Sequence, residues 1–142
     1  MDSVYLAIDP GKTTGYALFN DHGVVTFMGK ITGEDKFLDE LELLVDTRKQ
    51  LKVLIIETYR NRPGPKNQHN TWSTNATSQT IGAIKRIARK AGLEIVEQEP
   101  SPCLVIGLRF LGMSQTYKGK HVPDDVSALA HGTYYLRKKK IL

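Results

Sequence analysis

Residues 4–28 read VYLAIDPGKTTGYALFNDHGVVTFM, a stretch that predicts three β-strands joined by tight turns. The apolar run Val4–Ile8 stops at Asp9-Pro10-Gly11, as expected for a buried strand that ends in a turn. Asn20-Asp21-His22-Gly23 has the residue types of a hairpin turn, and the strands on its two sides cover residues 14–19 and 24–28. Because both connections are short, the three strands should form an antiparallel meander.

The rest of the chain alternates predicted helices with predicted strands. Apolar residues recur at helical spacing in the first helix, whereas Val53–Ile56 is apolar throughout, as in a central strand covered on both faces. The predicted elements are a helix at 35–50, a strand at 53–56, a helix that starts within 73–78 and ends at 91, a strand at 93–96, a helix at 103–111 and a final helix from Pro123 to Arg137. This order predicts an α/β domain with a mixed sheet.

The composition fits one folded domain spanning residues 1–142. Hydrophobic residues make up 40% of the chain, which is too many for a disordered protein. The single cysteine, Cys103, excludes an internal disulfide and favours a reducing compartment. No apolar run approaches the ~20 residues that span a bilayer, and the first residues lack a secretory signal. We therefore expect a soluble cytoplasmic protein with no membrane partner.

Charge is unevenly distributed along the chain, whose formal net charge is +5. Residues 58–90 contain seven basic side chains and no acidic one, whereas residues 34–46 contain six acidic side chains and one lysine. Separate basic and acidic sections favour a polyanionic partner on one face. A solvated surface without a partner is the simpler interpretation, and charge alone leaves both open.

Two acidic residues directly follow apolar strands. Asp9 ends the first strand and Glu57 ends the fourth, so their carboxylates would lie side by side if those strands are parallel neighbours. Such a pair favours a cation between its members, and Mg²⁺ accepts carboxylate oxygens. Asp124 and Asp125, at the start of the last helix, could complete a metal site. Each residue also has a simpler interpretation: a turn for Asp9, a strand-end charge for Glu57, and helix-dipole partners for Asp124 and Asp125.

Several sequence blocks resemble one nuclease family. Residues 8–16, read as IDPGKTTGY, are similar to the opening of RuvC-type Holliday junction resolvases of the ribonuclease H-like superfamily. The resemblance extends to LIIE at 54–57, GAI at 82–84 and DDVSALAH at 124–131, in the same order and over nearly the whole chain. It implies a ribonuclease H-like mixed sheet, with three antiparallel strands and then two more, flanked by helices.

The resemblance also implies a reaction. Asp9 and Glu57 match the family's first two metal-binding carboxylates. Two ions of Mg²⁺, or of Mn²⁺ as a substitute, would promote phosphodiester hydrolysis, with Asp9 as the bridging ligand. The implied protein is a crossover junction endodeoxyribonuclease that resolves four-way DNA junctions. A homodimer is implied as well, because cutting opposite strands of a two-fold symmetric junction needs two active sites. The compact size fits a phage-type member acting in a host cytoplasm.

The last motif departs from the family pattern, which is commonly Asp-x-x-Asp-Ala-Leu-Ala, or has His in the first place. Here Asp124 takes the first place, and Ser127 replaces the second acid. His121 and Asp124 fill both places if the motif is aligned as His-x-x-Asp. Asp125 reaching inward instead of Ser127 is a further alternative. We take Asp124 as the first choice of ligand, Asp125 as the second and His121 as the third.

The segment after Glu57 lies where substrate would enter the site. Tyr59 is a candidate for stacking on a base exposed at a branch point, with Trp72 as the alternative, although either is as readily a packing residue. The residues predicted to contact phosphates are Arg60, Arg62, Lys118 and Lys120. The helix at 78–91 resembles the element through which two copies pair in the family. Its basic residues could equally face DNA.

Two other functions stay open at the level of sequence. One is a nuclease of the same fold that acts on other branched DNA or RNA. The other is a non-catalytic DNA-binding module, which the replacement of an acid by Ser127 would favour. A fragment of an actin-like kinase is disfavoured, since such proteins need two related halves and this sequence has no internal repeat.

Overall fold

The structure is a computed structural model that describes residues 3–58 and 72–142. Its strands are β1 (Tyr5–Asp9), β2 (Thr13–Phe19), β3 (Val25–Thr32), β4 (Val53–Glu57) and β5 (Glu94–Gln98). Its helices are α1 (Glu34–Thr47), α2 (Trp72–Lys90), α3 (Val105–Phe110) and α4 (Asp124–Lys138), and a short helical turn, Pro100–Leu104, precedes α3. The order of elements is the one that the sequence predicts.

The five strands form one mixed sheet in the order β3-β2-β1-β4-β5. The β1–β2 and β2–β3 pairs are antiparallel, whereas the β1–β4 and β4–β5 pairs are parallel. The carboxamide oxygen of Asn20 accepts hydrogen bonds from the backbone N–H groups of His22 and Val24 at 2.9 and 3.0 Å, which stabilises the predicted hairpin turn. The expected α/β class and its antiparallel meander are confirmed.

Helices cover both faces of the sheet. Because side chains alternate along a strand, β1 and β4 each contribute to two cores, which explains why Val53–Ile56 is apolar throughout. Under α1 and α2 the core contains Leu6, Ile8, Leu54, Ile56, Phe37, Leu41, Ile84 and Ala88. Under α4 it contains Ala7, Ala17, Phe19, Ile55, Ala128 and Leu136. Within the described ranges, no helix is long and apolar enough to cross a membrane.

Two strands differ from the predicted boundaries by more than one residue, while each helix begins and ends within three residues of its expected limits. β3 starts at Val25 and continues to Thr32, beyond the predicted end at Met28, because its second half pairs with residues 13–16 of β2. β5 runs to Gln98 rather than to Val96, because it pairs with β4 as far as Glu57. Strand pairing joins backbone groups, so polar strand ends leave no hydropathy signal.

The start of α4 lies directly against β2. Gly15 is opposite Asp9 in the β1–β2 register. A Cβ atom on Gly15 would lie 1.9 Å from the carbonyl oxygen of Asp124 and 2.6 Å from the amide nitrogen of Asp125. Only a residue without a side chain permits this approach. Gly15 therefore determines how closely the first turn of α4 approaches the end of β1.

We predict that Gly15→Ala lowers the free energy of unfolding by about 2–4 kcal/mol, because the added methyl group must displace helix backbone. Urea denaturation measures this change. Gly82→Ala in α2 is the matched control: its added methyl group meets no heavy atom within 4 Å, so it should stabilise the protein by about 0.5–1 kcal/mol. Equal effects of the two substitutions would contradict the close approach at Gly15.

Candidate active site

Two carboxylates leave the centre of the sheet side by side. Ile8 lies opposite Ile56 in the parallel β1–β4 register, so the next residue on each strand, Asp9 or Glu57, emerges at the same end of the sheet. Both side chains are buried, with exposed fractions of 8% for Asp9 and 2% for Glu57. The fold therefore brings together the two acids whose proximity the sequence suggested.

Helix α4 supplies two hydrogen-bond donors to Glu57. His131 Nε2 lies 2.6 Å from Glu57 Oε2, and the Ser127 hydroxyl donates to the same oxygen at 3.1 Å. Ser127 and His131 are four residues apart on the helix, so their side chains share the face that covers the sheet. Both are buried. A buried carboxylate needs such donors, because it has lost the hydrogen bonds of water.

Gln98 extends this network from the neighbouring strand. It is the last residue of β5 and lies opposite Glu57 in the parallel register. Its side-chain Nε2 is 3.0 Å from Nδ1 of His131 and 3.1 Å from the backbone carbonyl oxygen of the same residue. Gln98, His131 and Glu57 therefore form one buried chain of hydrogen bonds that links β5, α4 and β4.

Asp124, the first residue of α4, faces several charges at the edge of the site. Burial raises its pKa above the ordinary value, and the charges of His121 and Lys30 lower it in part. The charges of Asp125 and Glu57 raise it further. Asp124 thus belongs to the same group of acids as Asp9 and Glu57.

The two remaining candidates near this motif occupy different positions. Asp125 accepts a hydrogen bond from the backbone N–H of Val126 at 3.0 Å, in the first turn of the helix. Ser127 instead points inward, where its hydroxyl contacts Glu57 and also lowers the pKa of Asp9 by hydrogen bonding. The inward position is therefore held by a neutral hydroxyl, and the role of Asp125 as a ligand stays a prediction.

The ionisation of Asp9 reflects this concentration of acids. Burial is the largest cause that raises its pKa, and together with the charges of Glu57 and Asp124 it brings the pKa to about 7. The hydrogen bond from Ser127 acts in the opposite direction but is too weak to prevent the rise. Negative charge at this end of the sheet is therefore not balanced by the cationic side chains around it.

The donor set fits a hard divalent cation. Asp9, Glu57 and Asp124 offer carboxylate oxygens, which Mg²⁺ and Mn²⁺ prefer, and the raised pKa of Asp9 indicates that a cation there would be electrostatically favourable. Over residues 3–58 and 72–142, no three His, Cys, Asp or Glu side chains already form a metal-binding cluster. The acids would thus have to move closer to one another to share an ion.

Of the predicted phosphate contacts, two lie in the described part of the chain. Lys118 and Lys120 are exposed in the segment between α3 and α4, shortly before Asp124. Tyr59, Arg60 and Arg62 lie outside the described residues, as does the side chain of Trp72.

Three residues that contact the acids or their hydrogen-bond partners were not singled out as site residues from the sequence. His131 stands in the quoted motif DDVSALAH, four residues after Ser127, and this spacing was the signal that could have placed it on the inward face. Gln98 could not have been found, because its role depends on the β4–β5 register. Lys30, opposite Gly15 on the extended part of β3, could not have been found either.

Comparison with solved structures identifies the fold. RuvC of T. thermophilus in complex with a Holliday junction substrate matches with a TM-score of 0.63 and 14% sequence identity over 96% of each chain. A second Thermus thermophilus RuvC structure matches with a TM-score of 0.57 and 16% identity, covering 95% of this chain and 96% of that one. The yeast mitochondrial Holliday junction resolvase Ydc2 matches with a TM-score of 0.56 and 13% identity, covering 98% of this chain and 80% of its own.

These matches show that the chain has the ribonuclease H-like fold of Holliday junction resolvases. No protein-family model matches the sequence, and no curated protein matches it. The resemblance is therefore one of architecture, and the activity has to be argued from the residues of the site.

We predict that Asp9→Asn stabilises the metal-free protein above neutral pH. The carboxyl has a pKa of about 7 in the folded state and 3.8 as the reference value, so its ionisation opposes folding fully above pH 7. The penalty decreases as the pH falls from 7 and is absent below 3.8. At about 1.4 kcal/mol per pKa unit, the gain in the free energy of unfolding has an upper limit of about 4 kcal/mol.

Thermal denaturation in a chelating buffer between mildly alkaline and acidic pH measures this effect. The difference in Tm between Asp9→Asn and the wild type should be positive near pH 8 and should vanish towards pH 4. Asp39→Asn, at an exposed position on α1, is the control and should show no comparable trend. A constant difference across this range would contradict the ionisation of Asp9 described above.

Proposed function

We propose that this protein is a divalent-metal-dependent endonuclease that resolves four-way DNA junctions. The observation that carries the proposal is the convergence of Asp9, Glu57 and Asp124 at one end of a sheet with the fold of Holliday junction resolvases. Loss of hydration and mutual repulsion make such a group of acids unfavourable without a cation. A function that uses their charge explains the arrangement.

Asp9, Glu57 and Asp124 would be the metal ligands, and Asp125 is a further predicted ligand. When bound, two ions of Mg²⁺, or of Mn²⁺ as a substitute, activate water and stabilise the leaving 3′ oxygen of a phosphodiester. Asp9 lies at the end of the central strand, and the charges of Glu57 and Asp124 both act on it, which supports its role as a ligand. Ser127 and His131 act on the site through Glu57.

Basic side chains around the acids support a polyanionic substrate. Lys30 and His121 are near enough to Asp124 for their charges to lower its pKa, and both are exposed to solvent. Lys118 and Lys120 lie a few residues before Asp124 and are also exposed. We infer that these four residues contact phosphates on either side of the cleaved bond, together with the predicted contacts Arg60 and Arg62.

Branched DNA and a homodimer follow from the proposed activity. T. thermophilus RuvC, which shares this fold, is described in complex with a Holliday junction substrate. A four-way junction has two-fold symmetry, so two symmetric cuts require two copies of the site. We therefore propose that the protein acts as a homodimer, with Tyr59 as the candidate for stacking on a base at the branch point.

A non-catalytic DNA-binding module is the second candidate. Its specific support is Ser127, a neutral hydroxyl at the inward position where the resemblance to RuvC-type resolvases implies an acid. The two candidates differ in one measurable property: the first cleaves DNA in the presence of a divalent cation, and the second only binds it.

We predict that Asp9→Asn reduces cleavage of an immobile four-way junction by at least about a hundredfold, with binding largely retained. Loss of a direct metal ligand should exceed the 10–100-fold effect that is typical of the groups behind the ligands. Single-turnover cleavage with titrated Mg²⁺ and Mn²⁺ measures the change. Asp39→Asn is the matched control and should cleave like the wild type.

The same assay includes a flap, a linear duplex and an RNA–DNA hybrid, which separates junction resolution from a broader nuclease activity. Undiminished cleavage by Asp9→Asn would refute the assigned site. A wild-type protein that binds the junction but cleaves none of these substrates with either cation would establish the binding module instead.

We predict that Lys30→Gln weakens junction binding several-fold and reduces the slope of log affinity against log salt concentration by about 0.9, as expected for one lost phosphate contact on duplex DNA. The measurement uses the Asp9→Asn background, so that cleavage does not interfere. Lys52→Gln is the control, because Lys52 is exposed at the opposite end of the sheet, just before β4. An unchanged salt slope for Lys30→Gln would rule out this contact.

A further inference from the structure

The orientation of the Gln98 amide is fixed by an acceptor that cannot donate. Gln98 Nε2 lies 3.1 Å from the backbone carbonyl oxygen of His131. A carbonyl oxygen only accepts hydrogen bonds, so the amide nitrogen of Gln98, and not its oxygen, must face it. The same nitrogen lies 3.0 Å from Nδ1 of the His131 ring. The amide therefore presents its two N–H donors to two atoms of one residue.

This arrangement selects one form of the imidazole. An amide NH₂ group donates one hydrogen to the carbonyl oxygen and the other to Nδ1 of His131, so Nδ1 accepts and carries no hydrogen. A neutral imidazole then has its proton on Nε2. A proton on Nδ1, in the other tautomer or in the imidazolium, would direct one N–H group against another.

The Nε2 proton is directed at Glu57. Nε2 and Glu57 Oε2 are 2.6 Å apart, so the direction of donation runs from Gln98 to His131 and from His131 to Glu57. The exposed fractions of the three residues are 6%, 0% and 2% in that order. Water is therefore excluded from competing for these hydrogen bonds, which strengthens the orientation that they impose.

We propose that Gln98 and His131 are positioning residues for Glu57: Gln98 holds His131 in its neutral Nε2–H tautomer, and that tautomer fixes Glu57 Oε2 at the site. The catalytic consequence rests on the proposed function, because it requires Glu57 to be a metal ligand. The tautomer itself follows from the hydrogen-bond geometry alone.

The surroundings of Glu57 explain why the positioning of its carboxylate by Gln98 and His131 is useful. Ser127 donates to the same oxygen as His131, so α4 contributes two neutral donors where the resemblance to resolvases would place another acid. Neutral donors lessen the repulsion between Glu57 and Asp9 without adding charge. They also hold the Glu57 carboxylate in one orientation before a cation arrives, which is the usual role of groups behind a metal ligand.

Side-chain ¹⁵N NMR of the metal-free protein tests the tautomer directly, without any measurement of activity. The chain has four histidines, so the variant H22Q/H69Q/H121Q leaves His131 as the only imidazole. Near neutral pH we expect one nitrogen with the shift of a protonated Nε2 and one with the shift of an unprotonated Nδ1. A protonated Nδ1, alone or together with a protonated Nε2, would overturn the proposal.

Gln98→Met tests the consequence for Glu57. It removes both donors while keeping the length of the side chain, so nothing then keeps a proton off Nδ1 of His131, whereas Glu57 still holds the proton on Nε2. We expect the cleavage rate constant to fall about tenfold to a hundredfold, with little change in KM for the junction. Ile95→Met is the matched control: it lies on the same strand but packs into the core under α1 and α2, so both the tautomer and the rate should stay those of the wild type.

The outcomes separate the two proposals. If the wild type cleaves no nucleic acid, the proposed function fails, and the NMR measurement still decides the tautomer. If the wild type cleaves the junction and Gln98→Met retains both a single Nε2–H tautomer and the full rate, the positioning role is refuted. A lower rate with an unchanged tautomer would refute it as well, because the effect would then not pass through His131.

Discussion

The parallel pairing of β1 with β4 is the constraint on which the rest of the site depends. It directs Asp9 and Glu57 out of the same end of the sheet, beneath a helix, where neither carboxylate is well solvated. Two buried acids repel each other and lose hydration, and the pKa of Asp9 rises to about 7 as a result.

Helix α4 and strand β5 supply the hydrogen bonds that stabilise Glu57. Ser127 and His131 donate to Glu57, and Gln98 in turn orients His131. The close contact at Gly15 brings the first turn of α4 to the end of β1, so Asp124 joins the group. The same helix thus supplies both the donors that lessen the repulsion and a further acid, Asp124, whose charge raises the pKa of Asp9.

The fold and the side chains of the site support the proposed function in different ways. The architecture is that of Holliday junction resolvases, at sequence identities of 13–16% that establish the fold alone. Around Glu57 the chain supplies a hydrogen-bonded group that consists of Gln98, His131 and Ser127. This group fixes the orientation of the Glu57 carboxylate through two hydrogen bonds to one of its oxygens.

The sequence by itself determined the order of elements, the mixed sheet and the positions of Asp9 and Glu57 at strand ends, because apolar runs and turn residues are local signals. Only the tertiary structure decided the contacts that join different elements. The β4–β5 register places Gln98 beside Glu57, and the extended β3 brings Lys30 towards Asp124. Ser127, and not Asp125, points inward because of how α4 lies on the sheet. Such contacts depend on backbone pairing and helix placement, which the hydropathy of a single segment does not encode.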